Sequence, residues 1–185
     1  MSFFKKERNY KIFLFSNSVL GLAFGLFSPF WAIFLRDFGG SIESYGFAIG
    51  LMALAQAVTS YFVGKYSDKI GRKPFLIIAG FFLSAAIFCY AIINSLIQLY
   101  ILQIINGIAS ATQMTMETSF LGDVTKKASR GVNVGKYHAI VGAIAAIAVI
   151  VGGYIVGWLG FKIIFYITSI LVFISTIILL RIKNK

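Results

Sequence analysis

Gly64-Lys65-Tyr66-Ser67-Asp68-Lys69-Ile70-Gly71-Arg72-Lys73-Pro74 joins an apolar run over residues 44–64 to another over 75–93. Each run approaches the roughly 20 mostly apolar residues that cross a bilayer as a helix. The connection is short and carries four basic residues, Lys65, Lys69, Arg72 and Lys73. Short basic connections between apolar runs stay on the cytoplasmic side. Pro74 falls in the first turn of the second run, where its missing N–H costs nothing.

Outward from this loop, further apolar runs cover 12–34, 96–121, 137–158 and 162–180. They are too long for strands and lack the alternation of a barrel wall. The gaps alternate in charge across all seven segments outside the runs. Lys5, Lys6, Arg8 and Lys11 precede the first run, and Lys126, Lys127, Arg130 and Lys136 lie between the fourth and fifth. Arg181, Lys183 and Lys185 follow the sixth. Fifteen basic residues thus fall on one side, against Arg36 and Lys162 on the other. The fold class expected is an all-α membrane protein of six transmembrane helices, in the cell membrane, with both termini cytoplasmic. The first run, of 23 residues, exceeds the apolar core of about 7–15 residues in a signal peptide, so it reads as a retained span.

Composition agrees. Of 185 residues, 59% are hydrophobic and 12% charged, with mean hydropathy +0.88. A soluble domain of this size could not bury so much apolar surface. The net charge of +11 would suggest nucleic acid in a soluble protein. Here it orients spans in the lipid bilayer, and no nucleic-acid partner is expected. Cys89 alone permits no internal disulfide. One histidine, His138 at the edge of span 5, gives too few ligands for a metal and no buried Ser–His pair for hydrolysis. No phosphate-binding G-x-x-x-x-G-K-[ST] is present. The chain reads as no enzyme and needs no cofactor.

Within the runs, polar residues are few and ordered. Span 4 carries Gln103, Asn106, Ser110, Gln113 and Glu117, spaced 3, 4, 3 and 4 apart, which is one stripe of a helix. Facing lipid it would be costly, so it should face the bundle interior or a wet cavity. Span 1 adds Asn17, Ser28 and Trp31, and span 2 adds Gln56 and Thr59. Glu117, the acidic residue well inside a span, is a candidate for binding a cation or relaying a proton; the plainer reading pairs it with Lys136 or another loop base. Glycines four apart, Gly21 and Gly25, Gly46 and Gly50, Gly153 and Gly157, permit close helix packing. Pro29 predicts a kink in span 1.

The loop 64–74 resembles the motif between spans 2 and 3 of the major facilitator superfamily, G-x-L-A-D-[RK]-x-G-R-[RK]. Gly64, Asp68, Lys69, Gly71, Arg72 and Lys73 match; Tyr66 and Ser67 depart from Leu and Ala. Asp123, Arg130-Gly131 and Gly135 resemble the family's equivalent features between spans 4 and 5, and Gly157-Trp158 with Phe161 and Phe165 its start of span 6. The resemblance implies a secondary transporter that moves a small solute by alternating access, with a coupling proton or cation. It implies that Asp68, Arg72, Asp123 and their neighbours form a cytoplasmic latch and that spans 1 and 4 line the cavity. Charge logic supports a latch: Asp68 at a helix C-terminus, and Arg72 and Lys73 at a helix N-terminus, each oppose their own helix dipole and need partners. Asp68 can pair with Arg72 locally, and Asp123 is a second partner. Gln103 stands where the family often has arginine, four residues before Gly107, which speaks against proton coupling there. Ala148-Val149 replaces the Gly-Pro common in span 5 of drug antiporters.

The family's usual unit has twelve spans, so 1–185 corresponds to its N-terminal six-helix half. It is read as one domain of two inverted three-span repeats, about 1–94 and 95–185. One half supplies one wall of a cavity. The chain is then a truncated or split product, pairs with a separate second half, or forms a homodimer in which position 64 meets position 134 of the other copy. A non-transporting assembly subunit or remnant is the alternative function.

Overall fold

A computed structural model describes residues 3–39, 41–125 and 127–182; Lys126, Lys183 and Lys185, read above as flanking charges, lie outside them. Six helices account for the fold: α1 (Phe3–Gly39), α2 (Ile42–Ile70), α3 (Arg72–Tyr90), α4 (Leu96–Val124), α5 (Arg130–Leu159) and α6 (Phe161–Leu179), with one 3₁₀ turn at Lys127–Ser129. Among the described residues there is no strand.

Apolarity sets where a span enters the bilayer, but backbone hydrogen bonding sets where a helix ends, so the helices outrun the apolar runs. α1 begins in the basic N-terminal segment, where Lys11 pairs with Glu7 at 2.8 Å, and it continues through Pro29. α2 absorbs Lys65 to Lys69. The loop that decided the fold is thereby reduced to one residue, Gly71, at φ 99° and ψ 161°. Only glycine occupies that backbone region without strain. Gly160, at φ 78° and ψ 176°, makes the same abrupt joint between α5 and α6. Elsewhere serines cap: Ser41 accepts from the Ser44 N–H and Ser95 from the Gln98 N–H.

Among the described residues, five helices combine the length and apolarity of a membrane span. α4 has the length, 29 residues or about 43 Å at 1.5 Å per residue, but its polar stripe lowers its hydropathy. The bundle resolves that cost by orientation. Gln103, Asn106 and Gln113 are buried, while Ile97, Ile101, Ile104 and Ile108 on the opposite side are exposed.

α1 packs on α5 and α6, α4 packs on α2 and α3, and α3 packs on α6. Small residues allow the close approaches. A Cβ at Gly21 would lie 2.8 Å from the Val141 side chain, and one at Gly107 would lie 2.6 Å from the Met52 carbonyl oxygen. Ser16 and Ser175 donate to each other's backbone oxygens at 2.8 and 2.9 Å, tying α1 to α6. Ser84 and Ser169 do the same for α3 and α6, both at 2.9 Å. Lipid competes poorly for such contacts, so they hold helices where hydrophobic force cannot. α2 and α5 form the flanks and bury least: Ala48 and Ser67 on one, Tyr137, Ala148 and Gly152 on the other. Gly46, Gly50, Gly64 and Gly157 face open space, so of the three glycine pairs only Gly21 and Gly25 are both spent on close packing within the chain.

Candidate functional site

The charged loop forms one cluster. Arg72, in the first turn of α3, reaches Asp68 on α2 at 2.6 Å and Asp123 near the end of α4 at 3.6 Å. Its Nη1 also donates to Ser67 Oγ at 2.8 Å. The Arg72 side chain is 19% exposed, against 69% for Asp68 and 41% for Asp123. One cation thus links three helix ends, and Ser67 is a partner that the sequence reading did not single out. Ser67 is held in turn by donating to the Gly64 carbonyl at 3.1 Å, and the Ser67 carbonyl accepts from the Gly71 N–H at 2.9 Å.

The neighbouring cations divide. Lys73 Nζ donates to the Leu180 and Ile182 carbonyls at 2.9 and 2.6 Å. It therefore caps the end of α6 within the bundle. Arg130 Nη2 donates to the Gly122 carbonyl at 2.9 Å, closing the α4–α5 connection. Lys69 is exposed. Beneath these residues lies a cavity of about 920 Å³, also lined by Lys6, Lys127 and Thr125.

The polar interior forms the second cluster. Tyr90, 1% exposed at the end of α3, donates to Gln103 Oε1 at 2.8 Å, and its hydroxyl accepts from Asn106 Nδ2 at 3.4 Å. Gln56 Nε2 donates to Ser110 Oγ at 3.0 Å, joining α2 to α4. Asn17 turns back on its own helix, donating to the Phe13 carbonyl at 3.0 Å. Ser28 is exposed on α1. Trp31 Nε1, Gln103 Nε2 and Gln113 Oε1 are buried without partners among the described residues. Glu117 Oε1 accepts from the Tyr137 hydroxyl at 2.8 Å. Its partner is therefore a neutral tyrosine of α5 in place of Lys136, and Tyr137 lies edge-on to His138 with ring centroids 5.2 Å apart. Tyr90 and Tyr137 are the residues that sequence reading missed. The available signal was a tyrosine at the end of an apolar run, whose hydroxyl must find a partner when buried.

Comparisons with known proteins point one way. A sequence model of the Major Facilitator Superfamily matches residues 13–185. The chain is 28% identical over 159 residues to YitZ of Bacillus subtilis (strain 168), described as an uncharacterized MFS-type transporter; this covers 86% of the chain and 97% of YitZ. It is 26% identical over 174 residues to MJ1560, an uncharacterized MFS-type transporter of Methanocaldococcus jannaschii, covering 94% of the chain and 45% of that protein. It is 26% identical over 182 residues to the quinolone resistance protein NorA of Staphylococcus aureus, covering 96% of the chain and 47% of NorA. The chain thus spans nearly all of YitZ and just under half of the other two.

Proposed function

Since the chain belongs to the major facilitator superfamily, we propose that it supplies one six-helix half of a secondary transporter for a small solute, working by alternating access with both termini cytoplasmic. The observation that carries the two-body reading is the pair of open flanks. Gly46, Gly50 and Gly64 on α2, and Gly135, Gly142 and Gly157 on α5, have nothing within 4 Å of where a Cβ would stand. Glycines on two bordering helices invite close approach by further helices, from a second copy or a separate half.

Two inverted repeats, about 1–94 and 95–185, form part of the proposal. They are supported by the matched joints at Gly71 and Gly160 and by the exchange of partners in which α1 packs on α5 while α4 packs on α2. The Arg72–Asp68–Asp123 cluster is the proposed latch, with Gly64, Lys69, Gly71, Lys73 and Arg130 shaping it. Trp31, Gln103 and Gln113, which keep polar atoms unspent, with Asn17, Ser28, Gln56, Asn106, Ser110 and Glu117, are the proposed cavity wall. Glu117 is the proposed site for a coupling cation or proton. NorA is named for quinolone resistance, but α5 has Ala148-Val149 where drug antiporters often have Gly-Pro, so the proposed substrate stays a small solute. One observation favours a non-transporting assembly role instead: Gln103, Gln56, Ser110 and Glu117 already make hydrogen bonds within the half.

The test is mass and geometry together. The purified chain in lipid nanodiscs is expected to be a dimer by native mass, and Gly64→Cys with Val134→Cys, in a Cys89→Ala background, should cross-link between copies. A monomer that never cross-links would exclude the two-copy unit and direct the search to a separate half.

A further inference from the structure

The cavity beneath the charged loop holds more positive charge than the Arg72–Asp68–Asp123 cluster consumes. Six basic side chains face two carboxylates, Asp68 and Asp123, around about 920 Å³. Three of the cations are spent: Arg72 on the two carboxylates, Lys73 on the end of α6, and Arg130 on the Gly122 carbonyl. The other three, Lys6, Lys69 and Lys127, have no ion pair or hydrogen bond among the described residues.

The backbone adds to this field. α3 begins at the cavity without a side-chain cap, and so does α5 beside Lys127 and Arg130. The first N–H groups of a helix are partial positive charges, and anions are favoured there. Here cations occupy those positions; Asp68 and Asp123 offset Arg72, and Lys6, Lys69 and Lys127 remain in excess. Gathering like charges at uncapped helix starts is unfavourable unless an anion joins them. Thr125, buried on the cavity wall, already gives its hydroxyl proton to the Leu121 carbonyl at 2.6 Å, so it offers no donor to a ligand.

We infer that this cavity is a binding site for a phosphate group, held by Lys6, Lys69 and Lys127 at the start of α3. The phosphate belongs either to an anionic lipid headgroup entering from the surrounding leaflet or to a free phosphate ion; both present the same oxygens to the same ammonium groups. The site lies at the end of the bundle where basic residues meet the membrane surface, and such clusters attract anionic headgroups. The inference requires only that the bundle sits in a bilayer, so it stands or falls separately from the transport reading.

The test uses the full chain in nanodiscs of phosphatidylcholine alone and of phosphatidylcholine mixed with phosphatidylglycerol, read by native mass spectrometry. Phosphatidylglycerol should be retained in preference to phosphatidylcholine. The variant carrying Lys6→Gln, Lys69→Gln and Lys127→Gln should retain it on the order of a hundredfold less, at roughly 1 kcal/mol per basic residue. Arg36→Gln with Lys162→Gln, at the opposite end, should leave retention unchanged and controls for overall basicity. Inorganic phosphate titrated into the phosphatidylcholine discs gives the second arm: phosphate adducts lost in the triple variant identify a free-ion site, and their absence beside retained phosphatidylglycerol identifies a headgroup site. Equal retention of the two lipids with no phosphate adduct would overturn the inference. So would a triple variant that binds like the parent, or an opposite-end control that loses as much.

Discussion

At one end of the bundle Phe27, Phe34, Tyr90 and Phe165 meet ring to ring, whereas at the other Arg72, Asp68 and Asp123 meet charge to charge. The aromatic end places Phe34 4.8 Å and Phe27 5.8 Å from Phe165, with Tyr90 at 6.0 Å. It ties α1, α3 and α6 together with contacts that are individually small and collectively large. The charged end also has rings, Phe13 at 4.6 Å from Phe120, but its ion cluster reaches water through Asp68 and Asp123. Ring packing is short-ranged and is lost gradually as atoms part. Ion pairs near water can exchange one partner for another at little net cost, because their solvation and Coulomb terms nearly cancel. The two ends are therefore suited to different tasks: one to hold six helices as a body, the other to change partners.

Four substitutions probe that contrast, from the largest expected effect to the smallest. Tyr90→Ala removes a ring and both of its hydrogen bonds from the aromatic end and should cost about 3 kcal/mol of stability, read by thermal unfolding of the purified protein. Arg72→Gln should cost only about 1 kcal/mol, since its partners are largely exposed, and that difference should shrink in high salt. If Arg72→Gln proved the more destabilising, the charged end would be a structural anchor and the contrast would invert. Tyr137→Phe removes one interhelical hydrogen bond and should cost about 0.6 kcal/mol. Glu117→Gln, which keeps an acceptor for Tyr137, should cost less still. Its sharper readout is transport in liposomes: unchanged rate and unchanged pH dependence in Glu117→Gln would remove Glu117 from the coupling role.

Much of this was legible beforehand because it rests on local rules. The helical spans follow from apolar length, and the pairing of Arg72 with Asp68 and Asp123 follows from charges set against their own helix dipoles. The inward orientation of the α4 stripe follows from the cost of polar groups in lipid. Three things were not legible. The extension of α2 through Lys69 depends on Gly71 absorbing the whole turn. The choice of Tyr137 over Lys136 for Glu117 depends on how α5 is rotated against α4. The attachment of Lys73 to the end of α6 joins residues 107 and 109 positions apart, which no spacing in the sequence announces.

The sequence by itself determined how many helices form, what they are made of and which faces avoid lipid, because bilayer thickness and solvation cost act on each helix separately. Tertiary structure alone decided the partners: α1 with α5, α4 with α2, tyrosines on the polar stripe, and three lysines left unspent around a cavity. Those outcomes depend on the rotation and separation of helices distant in sequence, and close packing at glycines and reciprocal serine bonds sets both.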